Sequence, residues 1–144
     1  MNVYIDTEIV VADAIRSHLH HAAATSLIEQ IQRRRWIPVV SAHGLAEIFA
    51  VLTRTPFPRR MSPAEAWQII QENVLQLFEI QSLSRADYTE VVRACAAQSL
   101  GGGQVFDAIH VQAARKAKCG RIYTFNLDDF RRIAPDLRDR ILTP

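Results

Sequence analysis

Short hydrophobic runs alternate along the chain with longer segments in which apolar side chains recur every three or four residues. The short runs predict four strands, and two apolar residues near the end could add a fifth: 3–7, 36–40, 77–80, 121–125 and 141–142. The longer segments predict helices at 8–16, 20–34, 42–54, from 62 onward, 84–98 and 105–118. Strands that alternate with helices are typical of a parallel sheet covered by helices and joined by right-handed crossovers. The pattern therefore predicts one α/β domain over residues 1–144.

A few residues predict where these elements begin, end or pair. Residues 62–65 have the spacing of a capping box with proline in the first helical turn. Gly120 is suited to the cap that ends the helix at 105–118. Pro38 has no backbone N–H, which predicts that its strand lies at an edge of the sheet or is paired on one side at that residue. Residues 126–130 predict a turn after the fourth strand.

Composition sets limits on the function. With 144 residues and a formal net charge of +2, the chain fits one domain and is not a polycation. Any affinity for nucleic acid must therefore come from local clusters of arginine and lysine. The two separated cysteines, Cys95 and Cys119, favour reduced thiols in a cytoplasmic protein. Acidic residues at 6, 8 and 13 interrupt the N-terminal apolar stretch, so we expect neither a signal peptide nor a membrane span.

Three acidic residues are notable for their position in the predicted elements. Asp6 follows the first strand, Glu47 lies on the polar side of the helix at 42–54, and Asp107 lies in the first turn of a later helix. Each has a simple structural interpretation, as a helix cap, a solvated surface acid or an acid that complements the helix dipole. Together they could meet at the C-terminal edge of the sheet, where open α/β sheets bind ligands. An all-oxygen site of this kind suits Mg²⁺ or Mn²⁺.

Polar residues near these acids extend the candidate site. His110 lies one turn beyond Asp107 on the same helix, where a hydrogen-bonded structural role is more common than a role in chemistry. If the first and fourth strands are neighbours, the polar segment 126–129 lies beside Asp6, although Asn and Asp are also ordinary turn and capping residues. Thr124 could then donate a hydrogen bond to one of the acids.

With these residues in view, the sequence resembles PIN-domain ribonucleases, especially the toxins of bacterial VapC-type toxin–antitoxin pairs. The resemblance covers nearly the whole chain and is carried by four segments: 4–7, 41–47, 105–108 and 123–130. It implies a three-layer α/β/α fold with a central, mainly parallel sheet of four to five strands. It also implies Mg²⁺- or Mn²⁺-dependent hydrolysis of RNA, in which Asp6, Glu47 and Asp107 are the catalytic, metal-binding acids.

Two positions depart from the common pattern of the family. Asn126 falls where many members have a fourth acid and others have Asn, and Asp129 is a nearby carboxylate that could substitute for it. Glu8 stands where relatives usually carry Ser or Asn facing the site. It could add a metal ligand, crowd the pocket, or point away as an ordinary first-turn helix acid. The resemblance further implies an RNA substrate, a cognate antitoxin protein and a homodimer.

Basic and aromatic residues are the candidates for guiding a substrate. The basic candidates are Arg59, Arg60, Arg115, Lys116 and Lys118, with Arg33, Arg34 and Arg35 as weaker ones. For each of them a solvated surface charge is the commoner role. Trp36 and Trp67 could stack on bases, although packing in a core or an interface is the commoner role of tryptophan.

Two other functions fit parts of the sequence. A degenerate PIN module would bind RNA or a protein partner without catalysis, and Glu8 and Asn126 are the residues that keep this alternative open. A phosphatase of the haloacid-dehalogenase type also begins with an Asp after its first strand, but it needs a second Asp two residues later, where this chain has Glu8. Loss of metal-dependent RNA cleavage in an Asp6→Asn variant would separate an enzyme from a binding module.

Overall fold

A five-stranded parallel sheet forms the centre of the protein, in a computed structural model that describes residues 1–144. The strands are β1 (Asn2–Ile5), β2 (Ile37–Ser41), β3 (Glu79–Gln81), β4 (Arg121–Tyr123) and β5 (Ile141–Leu142). Neighbouring strands pair in the order β3-β2-β1-β4-β5, and every pairing is parallel. The predicted parallel sheet and its short fifth strand are confirmed.

Seven helices connect and cover these strands. They are α1 (Thr7–Ala14), α2 (His21–Arg33), α3 (Ala42–Arg54), α4 (Pro63–Ile70), α5 (Arg85–Ala97), α6 (Gln104–Lys116) and α7 (Leu127–Ile133). A π-helical turn at Gln71–Leu75 extends α4, and a 3-10 helix at Pro135–Arg140 precedes β5. The predicted capping box is present at the start of α4, between Ser62 and Glu65. None of the helices combines the length and the apolar character needed to cross a bilayer.

The side chains of β1 show that the sheet is covered on both faces. Val3 and Ile5 are fully buried in the larger hydrophobic cluster, whose helical members come from α1, α2, α3 and α4. Tyr4 points the other way, into a second cluster with residues of α6 and α7, and α5 packs on α6 through a third. Neighbouring residues of a strand point to opposite faces, so both faces of β1 are buried. The result is the three-layer α/β/α arrangement that the resemblance implied.

β1 lies where the path of the chain across the sheet reverses. The chain moves from β1 to β2 and β3 on one side, and later returns to place β4 on the other side of β1. Because α1 follows β1 onto one face and α7 follows β4 onto the other, a crevice opens between the ends of these two strands. The first and fourth strands are therefore neighbours. Asp6 comes directly after β1, and Asn126 lies three residues after the end of β4.

β2 is an interior strand and not an edge strand. It pairs with β1 on one side and with β3 on the other. Pro38 is aligned with Val3 of β1, but the pairing with β3 begins only at Val39. Pro38 is therefore paired on one side only, which is the second of the two arrangements that its missing N–H predicted.

Several boundaries differ from the prediction by one or two residues, since β1 ends at Ile5 and β4 at Tyr123, and two of the differences have a clear physical cause. The third strand begins at Glu79 and not at Leu77, because Phe78 N–H donates to Val74 O at 2.8 Å and so continues the preceding helical turn. The segment 126–130 is not an isolated turn, because most of it belongs to the first turn of α7. Phe130 is fully buried there, so tertiary packing outweighs the turn propensity of the polar residues before it.

Gly120 does not cap α6 as predicted. Lys118 takes the left-handed conformation after the helix, with a φ of 52°. The backbone N–H of Gly120 donates instead to Asn2 O at 2.8 Å, beside β1. A Cβ at Gly120 would lie 2.6 Å from Met1 Sδ, so a larger residue here would have to displace the flexible side chain of Met1.

Candidate active site

Asp6 lies at the end of β1, in the crevice between β1 and β4. Its carboxylate accepts two hydrogen bonds, from Thr7 N–H to Oδ1 at 2.8 Å and from Thr124 Oγ1 to Oδ2 at 2.7 Å. The first bond makes Asp6 the N-cap of α1, and the second is the donation predicted for Thr124. The residue is only 7% exposed. A charged group held at both oxygens is restrained by strong hydrogen bonds, so Asp6 provides a fixed negative charge in the crevice.

Glu47 reaches the same crevice from α3. Its Oε1 lies 2.9 Å from His43 Nε2, and its Oε2 lies 2.8 Å from His110 Nε2 and 3.1 Å from Thr7 Oγ1. Burial alone would raise the pKa of Glu47, but the hydrogen bond from His110 and the charges of the two histidines outweigh burial and lower this pKa. Glu47 is therefore ionised near neutral pH. It is not the solvated surface acid that the polar face of a helix usually carries.

His110 links Glu47 to the core of the protein. It is 2% exposed, and its Nδ1 lies 2.7 Å from the Tyr4 hydroxyl. That hydroxyl accepts a hydrogen bond from Ser41 N–H at 3.1 Å, so its own proton is free to be donated to Nδ1. We therefore assign to the neutral ring the tautomer in which Nε2–H donates to Glu47. Burial opposes protonation, but the contact with Glu47 and the nearby acids raise the pKa of His110, which strengthens this pair.

Asp107 enters the crevice from the first turn of α6. Burial, together with the negative charges of Asp6 and other nearby acids, raises the pKa of Asp107 to about 6, although a neighbouring histidine acts in the opposite direction. Asn126 Nδ2 donates to Asp107 Oδ2 at 3.2 Å. One neutral amide donor does not compensate a carboxylate charge. The crevice therefore holds more negative charge than the protein neutralises.

The candidate residues line one cavity of about 430 Å³. Those on its wall are Asp6, Glu8, Glu47, Asp107 and Asn126. Glu8 is exposed and lines the cavity, so it does not point away from the site. Asp129 is not on the wall, and its Oδ1 lies 3.6 Å from Arg132 Nη1. It acts on the cavity through its charge, which contributes to the raised pKa of Asp107.

The donors in the cavity fit a small, hard cation. The acids and Asn126 offer oxygen ligands, and the raised pKa of Asp107 reflects carboxylates that lack a counter-charge. No three acidic, histidine or cysteine side chains are close enough together to enclose an ion by themselves. Mg²⁺ does not need such an enclosure, because it is commonly held by one or two carboxylates and keeps several waters. Asp6 and Asp107 would supply these carboxylates. Glu47 has fewer free acceptor positions, because His110 and Thr7 both bond to its Oε2 and His43 bonds to its Oε1.

The residues predicted to guide a substrate lie elsewhere. None of the basic candidates is on the wall of the cavity. Several pair with acids: Arg59 with Glu65, Arg115 with Asp136 and Lys116 with Asp87. The guanidinium groups of Arg34 and Arg121 lie 4.9 and 5.0 Å from the ring of Trp36, which is also away from the cavity. Trp67 is half exposed on α4.

The residues of the site that were not singled out from the sequence include Tyr4, His43, Phe57 and Phe106. His43 precedes Glu47 by four residues, and this spacing places two side chains on one face of a helix, so the sequence did hold a signal for it. Phe106 adjoins Asp107, which was another usable signal. Nothing local indicated the contact of Tyr4, because its partner His110 is 106 residues away.

Comparison of the sequence with known proteins gives a consistent result. The sequence profile of the PIN domain matches residues 3–135. Ribonuclease VapC27 of Mycobacterium tuberculosis (strain ATCC 25618 / H37Rv) is 30% identical over 111 residues, which cover 76% of this chain and 74% of the relative.

Two solved structures share the fold. The first is VapC20 of Mycobacterium tuberculosis, a toxin that cleaves the sarcin-ricin loop, with a TM-score of 0.68 and 15% identity over 88% of this chain and 92% of that chain. The second is VapBC2 from Rickettsia felis bound to a DNA fragment from their promoter, with a TM-score of 0.72 and 18% identity over 100% of this chain and 99% of that chain. At these identities the likeness shows the fold alone.

Proposed function

The chain belongs to the PIN-domain family, and from that premise we propose that it is an endoribonuclease that hydrolyses RNA phosphodiester bonds with Mg²⁺ or Mn²⁺. The observation that carries the proposal is the convergence of Asp6, Glu47 and Asp107 on one cavity, where the path of a parallel sheet reverses. Partly buried acids are costly to gather unless a positive charge compensates them. A degenerate binding module is not favoured, because all three acids are present and the similar VapC27 is a ribonuclease.

The enzyme would be the toxin of a VapBC-type pair, held inactive by a cognate antitoxin protein. The similarity to VapC27 and the shared fold with VapBC2 support this assignment. A second cavity of about 700 Å³ adjoins the acidic one, because Phe57 lines both. Ile15, Met61 and Ile69 make its wall apolar, which suits an apolar segment of an antitoxin. The active form would be a homodimer, as the family resemblance implies.

The residues of the chain have distinct parts in the proposed hydrolysis. A bound divalent cation would make a water nucleophilic near neutral pH and would neutralise charge on the phosphate. Asp6 would hold its ligand position without reorganisation, because Thr7 and Thr124 restrain both of its oxygens. Asn126 occupies only Oδ2 of Asp107, which leaves the other oxygen for a cation or a water. No serine or cysteine nucleophile is required.

Cleavage of a single-stranded RNA by the purified protein tests this proposal. We expect cleavage with Mg²⁺ or Mn²⁺, none with EDTA, and a loss of about 100-fold or more in Asp6→Asn, because the variant removes a preorganised charge. Asp139→Asn is the matched control, since Asp139 is an exposed acid on the 3-10 helix and does not line the cavity. Equal activity of the Asp6→Asn and Asp139→Asn variants would contradict the proposal, and so would cleavage that persists in EDTA.

The RNA substrate can be identified in cells. Sequencing of RNA ends after brief induction should show new ends with wild-type protein and not with the Asp6→Asn variant. Co-expression with a small DNA-binding protein encoded beside this gene should suppress those ends if that protein is the antitoxin. New ends that appear equally with both forms of the protein would assign the cleavage to another enzyme.

A further inference from the structure

An exposed aromatic ring beside the acids has no part in the fold or in the proposed hydrolysis. Phe106 directly precedes Asp107 in the first turn of α6, and it lines the wall of the acidic cavity. The residue is 49% exposed. Single exposed hydrophobic residues are common on protein surfaces, so exposure alone carries no meaning. The position of Phe106 is informative, because its ring lines the same cavity as Asp6 and Asp107.

The ring of Phe106 is supported on one side. It is nearly parallel to the imidazole of His43, with an interplanar angle of 10° and 5.6 Å between ring centroids, which is an offset stack. His43 is held in turn by Glu47, at 2.9 Å between Nε2 and Oε1. The ring is therefore a flat surface whose position is tied to one of the acids, and its exposed area is available to a ligand.

We propose that Phe106, supported by His43, stacks on an unpaired base next to the cleaved phosphate and so positions one flanking nucleotide of the substrate. This inference rests on the proposed ribonuclease function. Each base is one sugar away from its phosphate, so a ring beside the acids is within reach of a base that flanks the scissile bond. Bases inside a duplex are already stacked and paired, and they cannot offer a free face to the ring.

The chemistry of the contact also sets its selectivity. Stacking tolerates any base, because every base has a π-face. Phenylalanine carries no polar atom that could read the edge of a base. Phe106 therefore selects for the unpaired state of one nucleotide and not for its identity.

A protein partner is the competing occupant of this ring. The surroundings favour RNA, since the ring stands beside Glu8, Asp107 and the other acids of the cavity, and the cation proposed to bind there with the RNA phosphate would compensate their charge. An apolar protein surface placed there would leave those acids desolvated and uncompensated. The experiments below separate the two occupants.

Four variants test the enzyme side of the contact. Phe106→Ala and Phe106→Leu should lower kcat/KM for single-stranded RNA by about 5- to 150-fold, the range expected for the loss of one stacked base. Phe106→Tyr keeps the ring and should retain most of the activity. Trp67→Ala is the matched control, because Trp67 is 50% exposed on α4 and does not line the cavity. If Phe106→Leu is as active as wild type, or Trp67→Ala loses as much activity as Phe106→Ala, the proposal is wrong.

Removal of single bases from the RNA tests the substrate side. Once the cut is mapped, abasic sites are placed one at a time in the nucleotides that flank it. One of these sites should lower cleavage by wild-type protein by about 5- to 150-fold and should have little effect on cleavage by Phe106→Ala, because that variant has already lost the stack. Equal losses in both proteins at every position would show that no base contacts the ring.

Binding without turnover keeps the test separate from the ribonuclease proposal. A labelled single-stranded RNA is titrated with Asp107→Asn, which lacks one acid, and with the same variant carrying Phe106→Ala or Trp67→Ala. Weaker binding with Phe106→Ala alone supports the stack even if the wild-type protein cleaves no RNA. Normal cleavage with no difference between Phe106→Ala and Trp67→Ala rejects the stack and leaves the ribonuclease function standing. If RNA binding is unchanged in Phe106→Ala and the variant shifts from dimer to monomer, the ring belongs to a protein interface. This outcome also rejects the proposed stack on a base.

Discussion

At the scale of single residues, the structural roles and the proposed functional roles fall on the same side chains. Asp6 caps α1 through Thr7 N–H, and the same carboxylate is the most buried acid of the cavity. Glu47 is on the polar side of its helix, yet it is bound by two histidines and a threonine. The two interpretations of Asp6, as a helix cap and as an acid of the cavity, are therefore compatible, because a carboxylate has two oxygens and can serve both roles.

The buried hydroxyl of Tyr4 should matter for both stability and activity. Tyr4→Phe leaves Ser41 N–H and His110 Nδ1 without their partner. An unsatisfied buried polar group costs about 1–3 kcal/mol, so the free energy of unfolding should fall by an amount in that range. Activity should also fall, and its pH profile should change, because His110 orients Glu47 through the other ring nitrogen. Chemical denaturation and pH–rate profiles would measure these effects.

Tyr88→Phe is the control for that change. Tyr88 is on α5 and is 38% exposed, so the loss of its hydroxyl should alter neither stability nor the pH profile. If Tyr4→Phe behaves like this control, the hydrogen bonds that link Tyr4 through His110 to Glu47 do not contribute to stability or activity.

At the scale of elements, the approach of α3 to α1 places the site residues. Gly44 is the point of contact, since a Cβ there would lie 3.1 Å from Thr7 Cγ2 and 3.2 Å from Ser41 Oγ. Thr7 and Ser41 are both buried, so neither can move away without disturbing its neighbours. Both also hold the site, because Thr7 binds Asp6 and Glu47 while Ser41 caps α3.

Gly44→Ala should therefore separate the two helices slightly and weaken the site. Alanine favours a helix over glycine by about 1 kcal/mol, but we expect the close contacts to exceed this gain and to leave a net loss of about 1 kcal/mol in the free energy of unfolding. Activity should fall as well. The control is Gly101→Ala, because a Cβ at Gly101 meets no atom within 4 Å. A Gly44→Ala variant more stable than wild type and fully active would show that the contact is not limiting.

At the scale of the whole molecule, the order of the strands concentrates negative charge in one place. β1 lies between β2 and β4, so the elements that follow these strands deliver acids to the same crevice. The pKa of Asp107 is raised to about 6 from the value of 3.8 for an unperturbed Asp, because of burial and these neighbouring charges. Because the folded-state pKa of Asp107 is above its unfolded-state value, ionisation of this group destabilises the folded protein. The contribution of Asp107 to stability is therefore fully present below about pH 4 and is lost as the pH rises through 6.

This linkage predicts that the metal-free protein is stabilised by Asp107→Asn at high pH only. The variant should gain about 1 kcal/mol in the free energy of unfolding at about pH 7.5, a figure reduced for solvent screening of a half-buried acid. It should approach wild type near pH 3, where Asp107 is protonated in the folded state and mostly protonated in the unfolded state. Thermal unfolding in EDTA at the two pH values would measure the difference.

Addition of Mg²⁺ provides the second half of that measurement. Wild-type protein should gain thermal stability with Mg²⁺ at about pH 7.5 and little at pH 5, because protonation of Asp107 competes with the cation. The Asp107→Asn variant should gain little at either pH. If the variant is less stable than wild type in EDTA at the higher pH, the crevice is not short of positive charge.

The local pattern of the sequence was sufficient for the elements and for the acids. Periodicity reports which side chains are buried, and it placed the helices and strands to within a few residues except where tertiary contacts took over, at Phe78 and at the start of α7. The motifs around Asp6, Glu47 and Asp107 lie on short segments, so they could be recognised without knowledge of the fold, and the three residues do meet in one cavity.

Only the tertiary structure decided how those acids are held and what surrounds them. Which strands pair, and in which order, depends on the packing of the whole chain, so no local pattern could connect Tyr4 with His110. The bond from Thr124 to an acid could be predicted only on the condition that the first and fourth strands are neighbours. The direction of Glu8 into the cavity and the support of Phe106 by His43 are likewise set by the approach of separate helices. Sequence determines burial and chemical type residue by residue, whereas hydrogen-bond partners and charge neighbours exist only once distant segments share a surface.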